Sequence, residues 1–327
     1  MVFTTHKKFD ANAAGKAARD AAGEALAALG KENPNVVVLD ADVSSSTKSS
    51  VFGKAFPNRF FNLGISEQDL MGTAAGLAVG GKIPFACTFA MFGIGRAWEQ
   101  IRNTICRDNL NVKILLTHAG VTVGEDGSSH QALEDIAITR AIPNIKVVVP
   151  ADAVSATKAV RLAAATKGPI YIRLGREKIP IIYSEQDAFE IGKANALREG
   201  RDACIIACGI MVAKSLEAAE MLEKEGLHVG VIDMHTIKPL DGQAVELAAR
   251  TGAIVSVEEG TIIGGLGGAI AEALSENAKT RGAVLRRVGT KDVFGESGKP
   301  SELLEKHGLT PNAIAKEVKL LIQEKAK

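Results

Sequence analysis

Aromatic residues and an excess of one charge sign are both scarce in this chain of 327 residues. Phe, Trp and Tyr make up 4% of it, too few rings for the stacking surfaces of proteins that bind single-stranded nucleic acid. The 39 Lys and Arg residues nearly balance the 38 Asp and Glu residues, leaving a formal charge of +1. Because such a chain attracts neither nucleic acid nor an anionic membrane, we expect neither as a partner.

Cysteine and long apolar runs are also scarce. The four cysteines are isolated from one another, which argues against a disulfide framework or a zinc site and favours a reducing cytoplasm; they are Cys87, Cys106, Cys204 and Cys208. The least polar stretch, from Leu70 to Gly95, is broken by Lys82, whereas a membrane span needs about 20 continuous apolar residues. The segment from Met1 to Asp10 has no apolar core of the signal-peptide type. We therefore predict a cytoplasmic protein without a metal site of its own.

Alternating strand-like and helix-like segments predict an α/β protein of two domains. Runs of Val, Ile and Leu, such as 36–39 and 112–117, are separated by segments of helical period, which is typical of parallel strands covered on both faces. Between about Arg176 and Arg201 the pattern gives way to polar, proline-marked sequence. We predict a first domain over 1–180, a linker over 181–200 and a smaller second domain over 201–327.

One glutamate stands where a buried strand is followed by a helix. In the segment from Asn62 to Asp69, Glu67 comes at that transition, and ligands bind at the strand ends of parallel sheets. The alternative is a helix start, with Ser66 as the N-cap and Asp69 as its reciprocal acid. Phe89 and Phe92 follow at a three-residue spacing that is normally typical of a core.

A loop rich in titratable groups is the third candidate. His118 lies 12 positions before His130, and Glu125 and Asp126 stand between them. We expect a strand, a glycine-bearing loop and then a helix capped by Ser128. A purely structural loop rarely needs this density of titratable groups, so the loop favours a functional role.

These segments, taken together and in this order, resemble transketolase. The resemblance rests on Gly64-Ile65-Ser66-Glu67, Thr88-Phe89-Ala90-Met91-Phe92, Thr117-His118, Gly124-Glu125-Asp126-Gly127-Ser128-Ser129-His130-Gln131 and Pro143-Asn144. In the second domain it rests on Thr236-Ile237-Lys238-Pro239-Leu240-Asp241 and Val257-Glu258-Glu259-Gly260. It covers essentially the whole chain and implies a pyrimidine-binding domain followed by a smaller transketolase C-terminal domain.

The resemblance also implies a cofactor and a partner chain. A full-length transketolase has an additional N-terminal domain, whose Gly-Asp-Gly motif and following asparagine hold the diphosphate and metal of thiamine diphosphate. The only Gly-x-Asp-Gly here belongs to the loop that contains Asp126. The chain therefore resembles the C-terminal subunit of a split transketolase, with Mg²⁺ or Ca²⁺ on an N-terminal subunit. An α2β2 assembly that dimerises through this chain is implied.

The family assigns cofactor roles to four residues. Glu67 would hydrogen-bond the aminopyrimidine ring nitrogen and favour the tautomer that accepts the thiazolium proton, which makes it a catalytic residue. Phe92, with Phe89 beside it, would stack on the pyrimidine, and Asp42 would lie near the cofactor. Gly95 stands where the family usually has a further aromatic residue.

The remaining assignments concern sugar phosphates. Asp126 and the catalytic His130 would meet the hydroxyl groups of the ketose donor. Four side chains fall where the family contacts the sugar phosphate, and their donors suit a dianion; they are Arg19, Ser46, His118 and Arg176. Without the resemblance, Arg19 and Arg176 are ordinary surface charges and residues 44–47 a turn.

The predicted reaction transfers a two-carbon ketol unit from a ketose phosphate to an aldose phosphate. The alternative is the β subunit of a 2-ketoacid dehydrogenase, which shares the two-domain architecture. The set formed by His118, Asp126 and His130 favours the transketolase.

Overall fold

The computed structural model of the chain describes residues 2–3, 10 and 14–325. The strands are β1 (Val2–Phe3), β2 (Lys16–Ala17), β3 (Val36–Asp40), β4 (Phe60–Asn62), β5 (Ile83–Phe89), β6 (Lys113–Thr117), β7 (Lys146–Val148), β8 (Ile170–Arg173), β9 (Lys178–Ile179), β10 (Asn195–Arg198), β11 (Ala203–Ala207), β12 (Val229–Asp233), β13 (Thr236–Lys238), β14 (Ala253–Thr261) and β15 (Val284–Thr290). The α-helices are α1 (Ala18–Glu32), α2 (Ser44–Thr47), α3 (Ser50–Ala55), α4 (Glu67–Val79), α5 (Asp135–Arg140), α6 (Ala153–Ala165), α7 (Met211–Lys224), α8 (Gly242–Ala249), α9 (Leu266–Glu276), α10 (Pro300–Lys306) and α11 (Pro311–Lys325).

The first sheet has the strand order β13-β7-β8-β6-β5-β3-β4, and its pairs are parallel except β13 with β7. Alternate side chains of one strand enter opposite cores, as the pleat requires. In β3, Val36 and Val38 pack with helices α1 and α6, whereas Val37 and Leu39 pack with α4. Buried on both faces, such strands are continuous apolar runs.

The second sheet has the order β1-β10-β12-β11-β14-β15. Its central pairs are parallel, and β10 runs antiparallel to β12. Together with the first sheet it confirms the predicted α/β class. No helix among the described residues is long and apolar enough to cross a membrane, and most of the segment from Met1 to Asp10 lies outside those residues.

The two sheets are joined through strands as well as side chains. Residues 236–238, within the second domain predicted from the sequence, form the edge strand β13 of the first sheet. Residues 195–198, within the predicted linker, form β10 of the second sheet. Nearby, both the Ile182 and the Tyr183 N–H donate to Asp152, and the Tyr183 hydroxyl donates to Asp233 over 2.7 Å.

Two π-helical segments follow β5, Met91–Arg96 and Gln100–Cys106. Two local expectations change in the structure. Residues 44–47 form the helix α2 rather than a turn. The prediction of a helix capped by Ser128 is wrong, since residues 128–130 form a turn and α5 begins only at Asp135.

Candidate active site

The predicted site residues follow neighbouring strands of the first sheet at their carboxyl ends. Asp42 follows β3, Glu67 follows β4, Phe89 ends β5, His118 follows β6 and Arg176 follows β8. In the sheet these strands lie side by side, in the order β8-β6-β5-β3-β4. Residues far apart in sequence therefore meet along one edge, where open α/β sheets bind ligands.

At one end of this edge, a buried histidine joins a guanidinium to an aromatic ring. His118 is 3% exposed and stacks on Phe89, with a ring-centroid distance of 4.0 Å. Its Nε2 lies 3.3 Å from an Arg19 nitrogen, and its Nδ1 lies 2.7 Å from the Thr117 hydroxyl. Arg19 also donates to the Ser46 carbonyl over 3.0 Å. Arg19, His118 and the Ser46 segment are thus in one contact network.

The contacts of His118 fix its protonation state. Burial, together with the nearby Arg19 and Arg176, lowers the pKa of His118 to about 3, so the ring is neutral at pH 7. Because a guanidinium only donates, Nε2 must accept from Arg19, which places the single ring proton on Nδ1, donated to Thr117. His118 therefore orients Arg19 here, rather than presenting an N–H of its own.

Two guanidiniums are close enough to affect one another. Burial lowers the pKa of Arg19, and the charge of Arg176 lowers it further against the opposing effect of Asp20. Arg176 donates to the Val123 carbonyl over 2.5 Å and lies 3.8 Å from an Asp126 carboxylate oxygen. Positive charges gathered around a buried neutral imidazole favour an anion at this end of the edge.

At the other end, a buried carboxylate is linked to the aromatic rings through a guanidinium. Glu67 is 2% exposed and pairs with Arg96 over 2.7 Å. The Arg96 guanidinium carbon lies 4.9 Å from the Phe92 ring centroid, and Phe92 stacks on Phe89 at 6.2 Å. His130 meets Phe92 edge-on at 5.0 Å. The rings thus lie between the Glu67–Arg96 pair and the basic end of the edge.

The helix-start alternative for Glu67 can be compared directly with these contacts. Ser66 does precede α4, but its side chain makes no capping hydrogen bond. Asp69 accepts from Thr73 instead of serving the helix start. Glu67 stands in the first turn of α4, where a carboxylate is favourable, yet its side chain is buried against Arg96. A helix start alone does not require that burial.

Asp42 is placed less centrally. It has a φ of 65° and accepts from the Asn62 amide over 2.8 Å. The segment behind it is held by Asp40, a buried carboxylate that accepts from Thr47, Ser49 and the Val43 N–H. The hydrogen bond to Asn62 links Asp42 to the end of β4.

The loop between His118 and Gln131 takes its shape from glycine. Gly120, Gly124 and Gly127 have φ values of 85°, 81° and 79°, which side chains with a Cβ rarely adopt. The Gln131 amide donates to the carbonyls of Val121 and Glu296. Engaged there, it cannot cap a helix at Ser128, which explains the wrong prediction for that segment.

Arg96 is the main site residue that the sequence reasoning missed. It follows Gly95 directly; Gly95 is exposed, and a Cβ at that position would meet only the Met91 side chain within 4 Å. Arg96, rather than an additional aromatic side chain, covers the face of Phe92. A basic residue four positions after a candidate stacking ring was the available signal.

The donor set fits one half of thiamine diphosphate. A buried carboxylate beside half-buried rings offers a hydrogen-bond acceptor and a flat apolar face, as an aminopyrimidine requires. No group of three or more His, Cys, Asp or Glu among the described residues is arranged to hold a metal ion. The buried carboxylate and the rings therefore fit the aminopyrimidine half of the cofactor.

Comparison with known proteins agrees with this geometry. Residues 14–181 match the family described as transketolase, pyrimidine binding domain, and residues 192–314 match the transketolase C-terminal domain. A Methanocaldococcus jannaschii protein described as a transketolase C-terminal section is 49% identical over 93% of this chain and 95% of its own length. A 6-deoxy-6-sulfo-D-fructose transketolase subunit from a Clostridium species is 41% identical over 91% of this chain and 92% of its own.

A solved structure is similar over nearly the same span. It is described as a split gene transketolase, inactive beta4 tetramer, with 53% identity and a TM-score of 0.88. The match covers 94% of this chain and 99% of that one. With two matching domains in order and relatives of the same extent, this chain belongs to the transketolase family, as a counterpart of its C-terminal part.

Proposed function

We propose that this chain is the C-terminal subunit of a thiamine-diphosphate-dependent transketolase, which transfers a two-carbon ketol unit from a ketose phosphate to an aldose phosphate. The observation that carries the proposal is one continuous edge with a buried carboxylate at one end and a basic cluster at the other. Glu67 and Phe92 form the first end, and Arg19, His118 and Arg176 form the second.

The first end would hold the pyrimidine half of the cofactor, which supplies a carbanion-stabilising thiazolium when bound. Glu67 would accept or share a proton at the ring nitrogen, and its burial keeps competing water away. Phe92 and Phe89 would stack on the ring and exclude solvent. Arg96 now contacts both Glu67 and Phe92, so it would yield these contacts to the ring.

The second end would bind the sugar. His130, 5.0 Å from Phe92, would act on donor hydroxyl groups beside the rings, with Asp126 on the same loop. Arg19 and Arg176 would pair with the terminal anion, His118 would orient Arg19, and the Ser46 segment would border the anion. Asp42 stays a proposed cofactor neighbour through its place at the end of β3.

The diphosphate and its Mg²⁺ or Ca²⁺ would lie on a separate N-terminal subunit. The relative described as a C-terminal section and the structure described as an inactive β4 tetramer support this division. The domain limits 1–180 and 201–327 are part of the same proposal. We also infer a cytoplasmic location, supported by four cysteines that are all unpaired thiols.

Assembly as α2β2 through this chain is supported by an open face on the first domain. A Cβ placed on Gly72 or Gly76 of α4 would have nothing within 4 Å. Ile65 and Val79, before and at the end of that helix, are 75% and 74% exposed. Exposed apolar side chains around bare helical backbone suit close packing against a second copy.

The decisive experiment is reconstitution. The purified chain, supplied with thiamine diphosphate, Mg²⁺, xylulose 5-phosphate and ribose 5-phosphate, should show no ketol transfer. Transfer should begin when a smaller chain with a Gly-Asp-Gly…Asn motif is added, as followed by product formation. Robust turnover by the isolated chain would contradict the split enzyme. Decarboxylation of a 2-ketoacid by the mixture, without ketol transfer, would favour the dehydrogenase alternative.

A further inference from the structure

Two adjacent glutamates of the second domain are buried where the domains meet, and the proposed reaction uses neither. Glu258 and Glu259 lie on β14 and are 1% and 3% exposed. Burial raises the pKa of each to about 7. Carboxyl groups in such surroundings need hydrogen-bond partners, and the two glutamates find theirs in different parts of the molecule.

Glu259 is bound to the loop that carries the sugar-site residues. Its Oε1 accepts from the Thr122 N–H over 2.6 Å, across 137 positions of sequence. Gly120 passes so close that a Cβ there would lie 2.3 Å from the Glu259 carboxyl carbon. The start of the loop is therefore shaped around this carboxyl group.

The same strand also holds the end of the loop. The Thr261 N–H donates to the Leu133 carbonyl over 2.8 Å. Arg173 donates to the Glu259 carbonyl over 2.8 Å and to Asp135, just beyond the loop, over 2.7 Å. Both ends of the loop are therefore tied to β14, and Asp126 and His130 lie between them.

We propose that Glu259 is a positioning residue for the transfer reaction, which sets the loop so that Asp126 and His130 face the rings of the site. This inference rests on the proposed function. It gives the second domain, which supplies none of the predicted cofactor or sugar contacts, a direct influence on sugar binding and turnover. The influence passes through one hydrogen bond to the Thr122 N–H.

Glu258 provides a matched control. It is equally buried, but its oxygens accept from the Leu266 and Gly267 N–H groups at the start of α9. This helix is separate from the loop between His118 and Gln131. Removing Glu258 deletes a buried carboxylate of the same strand and leaves the Thr122 contact in place. A general loss of stability would affect variants at both positions, whereas a loss of loop positioning would be seen only in variants of Glu259.

The test compares Glu259→Ala, Glu259→Gln and Glu258→Ala in the isolated chain and in the reconstituted complex. Amide hydrogen exchange over residues 120–131 should be at least about 10-fold faster in Glu259→Ala, near wild type in Glu259→Gln, which keeps an acceptor, and near wild type in Glu258→Ala. In the complex, Glu259→Ala should raise the donor KM and lower kcat by a similar factor. The affinity for thiamine diphosphate should change less than twofold.

The outcomes separate this inference from the proposed function. A wild-type complex that shows no ketol transfer would contradict the proposed function. The amide exchange data would still decide whether Glu259 holds the loop. If the wild-type complex is active, equal amide exchange rates in Glu259→Ala and Glu258→Ala would overturn the inference. Turnover of Glu259→Gln as low as that of Glu259→Ala would also overturn it. If Glu259→Ala does not fold, Glu259→Asp shortens the side chain by one methylene, withdraws the carboxyl group from the Thr122 N–H and should give the same pattern.

Discussion

The carboxyl edges of the two sheets have similar topology and opposite surroundings. The edge of the first sheet carries half-buried rings and charged side chains, several of them solvent-accessible, such as Arg96, Asp126 and Arg176. The edge of the second sheet carries Cys208, Asp233, Glu258 and Glu259, all buried. The edge of the first sheet is thus accessible to ligands, whereas the edge of the second sheet is buried by contacts within the chain.

The difference lies in what satisfies the carboxylates. In the second domain, Glu258 accepts from backbone N–H groups at the start of α9, and Glu259 accepts from the Thr122 N–H in the loop between His118 and Gln131. In the first, Glu67 has a flexible partner, since the Arg96 side chain is half exposed. A carboxylate held by backbone contributes to architecture, whereas one held by a movable side chain can exchange that partner for a ligand.

The largest effect is expected at the open edge, from Glu67→Gln. The amide keeps the size of the side chain, and the half-exposed Arg96 can turn to solvent, so the complex should still assemble. Loss of the proton-sharing carboxyl should lower turnover and thiazolium-proton exchange by about 100-fold or more. Steady-state kinetics and deuterium exchange at the thiazolium carbon measure this.

A helix-start role for Glu67 leads to the opposite result. The variant would then lose less than about 1 kcal/mol of stability and keep its turnover. Exchange within a few-fold of wild type would remove the main support for the cofactor site.

A smaller effect is expected at the basic end of the same edge. Arg176→Ala should remove a charge-assisted contact with the phosphate, and His118→Ala should misplace Arg19, so each variant should lose about 1.5–3 kcal/mol of binding free energy. Both should therefore lower kcat/KM for xylulose 5-phosphate about 10- to 150-fold. Hydroxypyruvate, which has no phosphate, should be affected far less. Equal losses on both donors would show that neither residue recognises the phosphate.

The next prediction places the same substitution in each domain. Gly76→Leu should weaken self-association at least about 10-fold, because the side chain would stand between two closely packed helices. Gly242→Leu on α8 is the control, since Gly242 also has open space around its Cβ position. Analytical ultracentrifugation of the chain checks both variants. Undiminished association in Gly76→Leu would mean that copies meet elsewhere.

The smallest effect concerns the pH dependence of folding stability, which arises at the buried edge of the second sheet. Burial raises the pKa of Glu258 from 4.5 to about 7, so between these pH values the folded chain keeps a proton that the unfolded chain has released. Stability from this group is therefore complete below about pH 4.5 and declines as the pH rises through 7, by about 3 kcal/mol.

Thermal unfolding of wild type and Glu258→Gln at pH 5 and pH 7.5 checks this decline. The melting temperature of wild type relative to the variant should fall by several degrees over that interval. His118 and His235, whose pKa values burial lowers to about 3, act in the opposite direction but equally in both proteins. A difference that does not change with pH would mean that Glu258 does not titrate there.

The sequence predicted the fold class, because buried parallel strands are continuous apolar runs that local pattern can reveal. Glu67 and His118 could be placed at strand ends because each comes directly after an apolar run that the sequence itself shows. The ion pair of Arg96 with Glu67 could not be predicted, since the two residues are 29 positions apart and lie in different segments. The Glu259 contact with Thr122 joins distant segments, and no local pattern encodes it.

The strand β13 limits how modular this protein can be. Since Thr236–Lys238 completes the sheet of the other domain, a chimera made by exchanging everything after residue 200 would also exchange an edge of the first sheet. A donor domain would have to bring a strand that matches β7 as well as a compatible core. Recombination between the two domains is therefore constrained by backbone pairing, and in this respect the pair would be inherited as one unit.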